Sequence, residues 1–531
     1  MQKSRRNGHA RRAAVAGAVS LAVSLVTGCT GTGPVDEQET SFVVSTFEPS
    51  SLIPGNTWAQ YIATLMFTPP LAPDAETGEP SPAAASSVTS DDQKTWTIVL
   101  GEGQKFHNGE AVTAQSFVDG WNATANSANA WVQNSNFSGI DGYADLNPAE
   151  GSPTATELSG LTVVSDTEFT VTLSEPNGLF PFALMSHAFA PLPSAALEDL
   201  EAFAAQPIGN GPYQLAAPYV PNERIELTRF EDYAGEKGIS DRIVFAPYDS
   251  QDTAFNDLLA GNVDVVYPVP VDRLSDLDTR VGDRHAVADI PNLNFIGFPL
   301  WDDRFADKQI RQAFSMAIDR EALTSSILKG AGVPADAIAG ESAYGATAGA
   351  CEYCTFDPEN AQALLAAAGG WSGPLVLWAY QAPGNDQILQ AIGNQLRQNL
   401  GIEDITYQIP SFAQYDEALF SQSIDGLYLD YWGAAYPHVA SLLPTLMGST
   451  GIYNTNGYVN DEFDALIAQA NALSFEESAT LYQQAERAAW EDMPVMPVYF
   501  GNYTAAWSDK LDSVPVGVFG LGDLTQVTVT R

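Results

Sequence analysis

Cysteine is scarce in this chain, with three in 531 residues, and histidine is nearly so, with five. Basic residues are few as well: 23 Lys and Arg stand against 65 Asp and Glu, a formal charge of −42. Each shortage excludes a class of function. A surface of this sign repels nucleic acid and anionic lipid heads, which argues against phosphate binding. A structural zinc site takes about four Cys or His ligands at close spacing. Cys351 and Cys354 form one pair with no second pair nearby, and no two of the histidines after the leader have ligand spacing. After residue 29 no apolar run approaches the ~20 residues needed to cross a bilayer. The motifs G-x-S-x-G, H-E-x-x-H and G-x-x-x-x-G-K-[ST] are all missing, so the common hydrolase, metalloprotease and nucleotide-binding readings have no support. No internal repeat or low-complexity tract suggests a structural surface protein. No cofactor is expected and no metal site.

What is present begins at the N-terminus. Lys3, Arg5, Arg6, Arg11 and Arg12 form a basic head, and Ala13 to Val26 form an uncharged apolar stretch. Small residues then surround Cys29 in "SLVTGCTGTG". This is the three-part layout of a secretory signal. Its end, Val26-Thr27-Gly28-Cys29, resembles a bacterial lipobox, which implies cleavage before Cys29 and acylation of its thiol. The expected segments are a signal peptide at 1–28 and a lipid-anchored flexible tether at 29–40. Arg5-Arg6 hints at twin-arginine export, but the positions that normally follow the pair are not matched. The leader holds five basic residues and no acid, so its loss would leave the mature chain near −47.

The body, 45% hydrophobic and 17% charged, reads as globular. "TWTIVL" (95–100) and "EFTVTL" (168–173) alternate as strands. "DKQIRQAFSMAIDR" (307–320) has helical spacing after an Asp cap. "DPENAQALLAAAGG" (357–370) has Asp357 as cap and Pro358 in its first turn. "SFEESATLYQQAERAAWEDMP" (474–494) offers a capping box, Ser474 with Glu477, and stops at Pro494. The alternation of helices and strands predicts an α/β architecture. In an exported chain, Cys351 and Cys354 are read as a local disulfide rather than a redox or zinc pair.

Several of these segments, taken in order, resemble one family. "KTWTIVLGEGQKFHNGEAVTAQSFVDGW" (94–121) is similar to the signature of the family 5 bacterial extracellular solute-binding proteins, the peptide/nickel group. The resemblance continues through "PIGNGPYQL" (207–215), "LLAGNVDVV" (258–266), "DKQIRQAFSMAIDREAL" (307–323), "YVNDEFDALIAQA" (458–470) and "EDMPVMPVYF" (491–500). It implies a two-lobed periplasmic-binding-protein-like fold with an extra subdomain and a ligand cleft between lobes joined by two hinge crossings. Domain I would comprise 41–60, 188–292 and 499–531, the extra subdomain 61–187, and domain II 293–498. The crossings would fall near Pro291–Phe298 and Val498–Tyr503.

The resemblance also implies a monomeric, lipid-anchored receptor on the extracytoplasmic face of the cell membrane. It would capture oligopeptides and deliver them to the permease of an ABC importer. The alternatives are the same role for an oligosaccharide, a modified peptide, nickel or haem, and an exported enzyme. Residues of the implied site are Glu48 and Ser50 in "STFEPSSLIP", and Asp430, Trp432, Ala434, Ala435 and Tyr436 in "LYLDYWGAAYPHVASLL". Trp58 and Phe67 are expected in the core, His107 in a structural turn, and His438 beside the cleft. In peptide-binding relatives the segment matching "YWGAAYP" commonly carries an Asp that pairs with the ligand's α-amino group, and that position is Ala435. Either Asp430 or Glu48 takes over the charge, or the ligand has no free amine there.

Overall fold

A computed structural model describes residues 39–530 except Ala75, Glu76 and Phe519. The leader and Cys29 lie outside the described residues. The last tether position, Thr40, is already anchored: its N–H and hydroxyl bond the Asp241 carboxylate at 2.7 and 2.9 Å.

Twelve strands form one hydrogen-bonded array. It consists of two half-sheets that share one long strand. The first half contains β1 (Ser41–Thr46), β2 (Arg242–Pro247), β3 (Val265–Val266) and β4 (His285–Asp289). The second contains β5 (Asn292–Gly297), β6 (Leu375–Trp378), β7 (Ile405–Gln408) and β8 (Leu427–Gly433). The shared strand is β9 (Val495–Trp507), whose first residues pair with β5 and whose last pair with β3 and β4. β5 is wholly buried and β1 and β2 mostly so, and the buried residues Ile243 to Ala246 of β2 read as the apolar run of a strand covered on both faces.

The chain passes between halves twice. Ile290 and Pro291 separate β4 from β5, and the return is made inside β9 near Gly501. The first crossing falls at the start of the expected segment, at Pro291 and the residue before it, because 292–297 is a buried strand of the second half. The two crossings are clasped together. The Asn292 side-chain amide accepts the Gly501 N–H at 2.8 Å and donates to the Gly501 carbonyl at 2.7 Å, and Asn292 is fully buried.

A separate four-stranded antiparallel sheet is built from 85–89, 95–100, 168–172 and 161–165, in that order. The boundary expected at 60/61 falls inside α1 (Gln60–Met66), whose Ile62, Leu65 and Met66 pack with Phe42 and Val44 of the first half. The four-stranded region touches both halves. Gln133 donates to the Thr57 carbonyl at 2.7 Å on one side. On the other, Phe182 packs on Tyr436, His438 and Phe475, and the Gly178 N–H bonds the Asn471 carbonyl at 2.8 Å.

Local details follow the chemistry of the chain. Gly109 has φ +86°, a left-handed turn that glycine adopts freely, and Thr113 caps the helix Ala114–Ala125 in a capping box with Ser116. α2 (Lys308–Met316) is capped by Asp307, and α3 (Pro358–Ala367) by Asp357. The capping box expected at Ser474 is not formed: Ser474 is the N-cap of the helix Phe475–Asp492, but its hydroxyl makes no cap bond. Cys351 and Cys354 are joined by a disulfide. That loop is held to β9 by the buried Arg320, whose guanidinium donates to the carbonyls of Cys354 and Pro497 at 2.8 and 2.7 Å.

Asn292→Ala would leave the Gly501 N–H and C=O without their buried partner. The expected loss is about 2–4 kcal/mol of unfolding free energy, since each unsatisfied buried group costs ~1–3. Denaturant titration of wild type and variant measures it, and coincident midpoints would show that the clasp contributes nothing.

Candidate functional site

Strand direction locates the site. β9 runs antiparallel to β5, and β5 antiparallel to β8, so β9 and β8 run the same way; β6 and β7 are parallel to β8. In the first half β9 is antiparallel to β3, and β3 is parallel to β1 and β2. The carboxyl ends of β6, β7 and β8 therefore point at the crossings from one side, and those of β1 and β2 from the other. In open α/β sheets ligands bind outside the carboxyl ends of strands, and here two such ends face each other.

The residues after β1 begin with Phe47 and Glu48. The Glu48 carboxylate accepts the Tyr219 hydroxyl through Oε1, while Oε2 is buried without a hydrogen-bond partner. Ser50 is exposed. Phe47 and Trp58, in the same stretch, are 53% and 71% exposed. Phe67 is in the core as expected, but Trp58 is not: it stands free just before α1, at the end of the segment leaving β1.

The opposite wall is the end of β8. Asp430 is 3% exposed. One carboxylate oxygen accepts the Tyr431 N–H at 2.8 Å and the other the Tyr453 hydroxyl at 3.1 Å. Burial pushes this carboxyl up to about 7, and Asp416 adds to the rise. The half-buried Trp432 stacks on Tyr453 with ring centres 4.2 Å apart, so Asp430 and Trp432, two residues apart on one strand face, share the Tyr453 wall. Ala434 is bonded through its N–H to the Pro291 carbonyl at the crossing. Ala435 is exposed, and its N–H donates to the Ser441 hydroxyl at 2.7 Å.

Two expected neighbours serve elsewhere. Tyr436 packs on Phe182 in the contact with the four-stranded region. His438 is fully buried among Phe182, Tyr344 and Tyr482; its Nδ1 accepts the Ala440 N–H, and burial pushes the ring down to about 3, so it packs as a neutral imidazole. His107 joins the Gly209 N–H and the Gly211 carbonyl, bracing the turn at 106–109. Among the described residues no group of three His, Cys, Asp or Glu could hold a metal ion.

The tyrosines were missed. Tyr431, on the strand face opposite Asp430, interacts with Tyr503 of β9, Tyr267 and Tyr380, and burial raises its hydroxyl. Tyr267 and Tyr503 have ring centres 6.1 Å apart. Tyr380 follows β6 and packs on Phe412, which follows β7 and is 57% exposed. These rings come from five separate segments, so no spacing in the chain announces them. The crevice is thus aromatic, rich in hydroxyls and supplied with carboxylates.

Residues 79–454 match the profile of the bacterial extracellular solute-binding proteins, family 5, middle region. The chain belongs to this family. It is 27% identical over 467 residues to the periplasmic oligopeptide-binding protein OppA of Salmonella typhimurium, covering 83% of this chain and 84% of that one. It is 27% identical over 438 residues to the periplasmic murein peptide-binding protein MppA of Escherichia coli, covering 80% of each. The unliganded open form of the murein tripeptide-binding protein MppA superposes with a TM-score of 0.80 at 23% identity, covering 94% of this chain and 99% of that one. The fold is therefore the two-lobed binding-protein fold of extracytoplasmic solute receptors.

Asp430 gives the protein a pH signature. Its folded value lies above the unfolded one, so the stability it contributes is complete below about 4 and is lost as pH rises through about 7. Asp430→Asn removes that slope. Between pH 4 and 7 the wild type should lose ~2–4 kcal/mol relative to the variant. Urea titrations of both at a series of pH values test this, and parallel profiles would contradict it.

Proposed function

We propose that the chain is the lipid-anchored receptor of an ABC importer and that it captures short peptides between its two lobes. The observation carrying this reading is the convergence of strand carboxyl ends on the two crossings, with Glu48 and Ser50 on one wall and Asp430, Trp432 and Ala434 on the other. An extended peptide offers a regular row of N–H and C=O groups, and strand ends with tyrosine hydroxyls complement such a row while leaving side-chain space open. The likeness to an oligopeptide-binding and a murein peptide-binding protein supports the same ligand class. Rotation at the two short crossings would close the lobes on the ligand and present both to the permease. The lobes in this reading are 41–60 with 188–292 and 499–531 as domain I, and 293–498 as domain II. The described residues contain no helix long and apolar enough to cross a membrane, and the anchor is assigned to acylated Cys29.

Two measurements test the reading. Native mass spectrometry of protein purified from its own host should show bound peptides of a few residues, unmodified over time. A metal lost to chelator or a single sugar would replace the peptide assignment. Cys29→Ser should move the protein out of the membrane fraction with its fold and ligand affinity intact, and a wild-type mature protein without added lipid mass would refute the anchor.

A further inference from the structure

Acids and cations are distributed unevenly about the crevice. The segments leaving the carboxyl ends of β1, β2, β6, β7 and β8 are 47–59, 248–250, 379–384, 409–411 and 434–442. They contain Glu48 and Asp249 but no lysine or arginine, and Asp430 stands near the end of β8. The crossings, 290–291 and 499–504, are also free of cations. Two cations stand in other loops: Arg224, exposed and acting on Tyr248 after β2, and Lys329, which is engaged at 3.6 Å by Asp272.

Two carboxylates here have no ion-pair partner among the described residues, a trait shared by the buried Glu486 of the helix Phe475–Asp492, which takes the Ile338 N–H and the Trp490 indole N–H, while other acids of the fold hold cations. Asp264, 6% exposed, holds Lys510 at 3.0 Å, and Asp302 holds Arg304 at 2.6 Å. Asp430 is buried more deeply, yet its partners are one backbone N–H and one tyrosine hydroxyl. Glu48 has a buried oxygen with no partner at all. A buried carboxylate without a cation is costly, and a ligand that brings one recovers that cost. Beside Asp430, the stacked Trp432 and Tyr453 add aromatic faces, which attract ammonium and guanidinium groups. The charge of the whole chain, −42, draws solutes of the same kind.

We infer that the crevice selects a net-cationic solute, a basic or carboxyl-blocked peptide, with Asp430 and Glu48 meeting its positive groups and no strand-end cation meeting a carboxylate. This rests on the receptor reading above and narrows its ligand class.

Calorimetry on the ligand-stripped protein decides it. Tripeptides of one length are compared as basic, neutral and acidic forms, each with a free or amidated carboxyl terminus, alongside spermidine. The basic peptide should bind tightest. Amidation should change its Kd by less than about threefold, and Asp430→Asn should weaken it by more than about tenfold. Glu48→Gln should weaken it as well, and circular dichroism confirms that both variants fold. Equal or tighter binding of the acidic peptide, or a loss above about tenfold on amidation, would overturn the inference. If no peptide binds, the peptide reading falls and spermidine decides the charge: binding that Asp430→Asn abolishes upholds the inference, and no binding overturns it.

Discussion

Asn292 holds the molecule's two halves at one point. Its amide satisfies both backbone groups of Gly501, and Asn292 itself is fully buried beneath the partly buried middle of the shared strand. A Cβ at 501 would come within 3.3 Å of the Asn292 oxygen and 3.5 Å of the Asn294 amide, so glycine leaves the clasp uncrowded. The same Asn292 pairs with Gly433 in the ladder. One residue therefore sets the position of both crossings and of the end of β8, where Asp430 and Trp432 stand. A crossing of two residues on one side and an unbroken strand on the other permits rotation but little translation. That is the mechanical requirement of a cleft that closes by hinge motion.

The shortage of basic residues acts through the fold as well as through the net charge. Arg311 places its guanidinium on the carbonyls of Phe305, Ala306, Asp492 and Met493, which brings the helix Phe475–Asp492 against α2. Arg320 does the same for Ser315, Ile318, Cys354 and Pro497. Both are buried, with burial drawing their proton affinity down, and neither has an ion-pair partner among the described residues. They serve as braces for loose carbonyls. Others, such as Arg229 and Arg242, pair with acids on the far edge of the first half. With cations committed to such tasks, the crevice keeps its acids largely uncompensated.

Much of the frame was legible in the chain. The alternation at 95–100 and 168–173 became paired strands, and the caps at Asp307 and Asp357 formed, because each depends on neighbours within a few residues. Ser474 failed as a side-chain cap although its spacing to Glu477 was suitable, and Trp58 lies open although its size suggested the core. Both outcomes are set by long-range packing that no local window contains. Of the candidate site, the chain offers only the residues on strand ends, Glu48 and Asp430 to Ala435, as proposals. Tyr219 and Tyr453 reach those carboxylates from loops 171 and 23 residues away, and nothing in their own surroundings marks them.

Asp430 and Ala435 are not interchangeable addresses for a positive charge. Asp430 points to the Tyr453 face of β8, while Ala435 lies beyond the strand, exposed and tied to Ser441. A charge bound at Asp430 would sit back along the strand from 435, against the Trp432–Tyr453 stack. In the proposed reading, a ligand anchored there would run past Ala434 toward the crossings and then toward Glu48. Its positive group and the rest of its length would then meet opposite walls, so each lobe contributes a carboxylate to one solute. An open crevice holds those two acids apart, and closing it on an uncharged ligand would desolvate both without compensation. On the proposed ligand class, closure on a cation would offset that cost, and the distribution of charge would couple the choice of ligand to the rotation about Asn292.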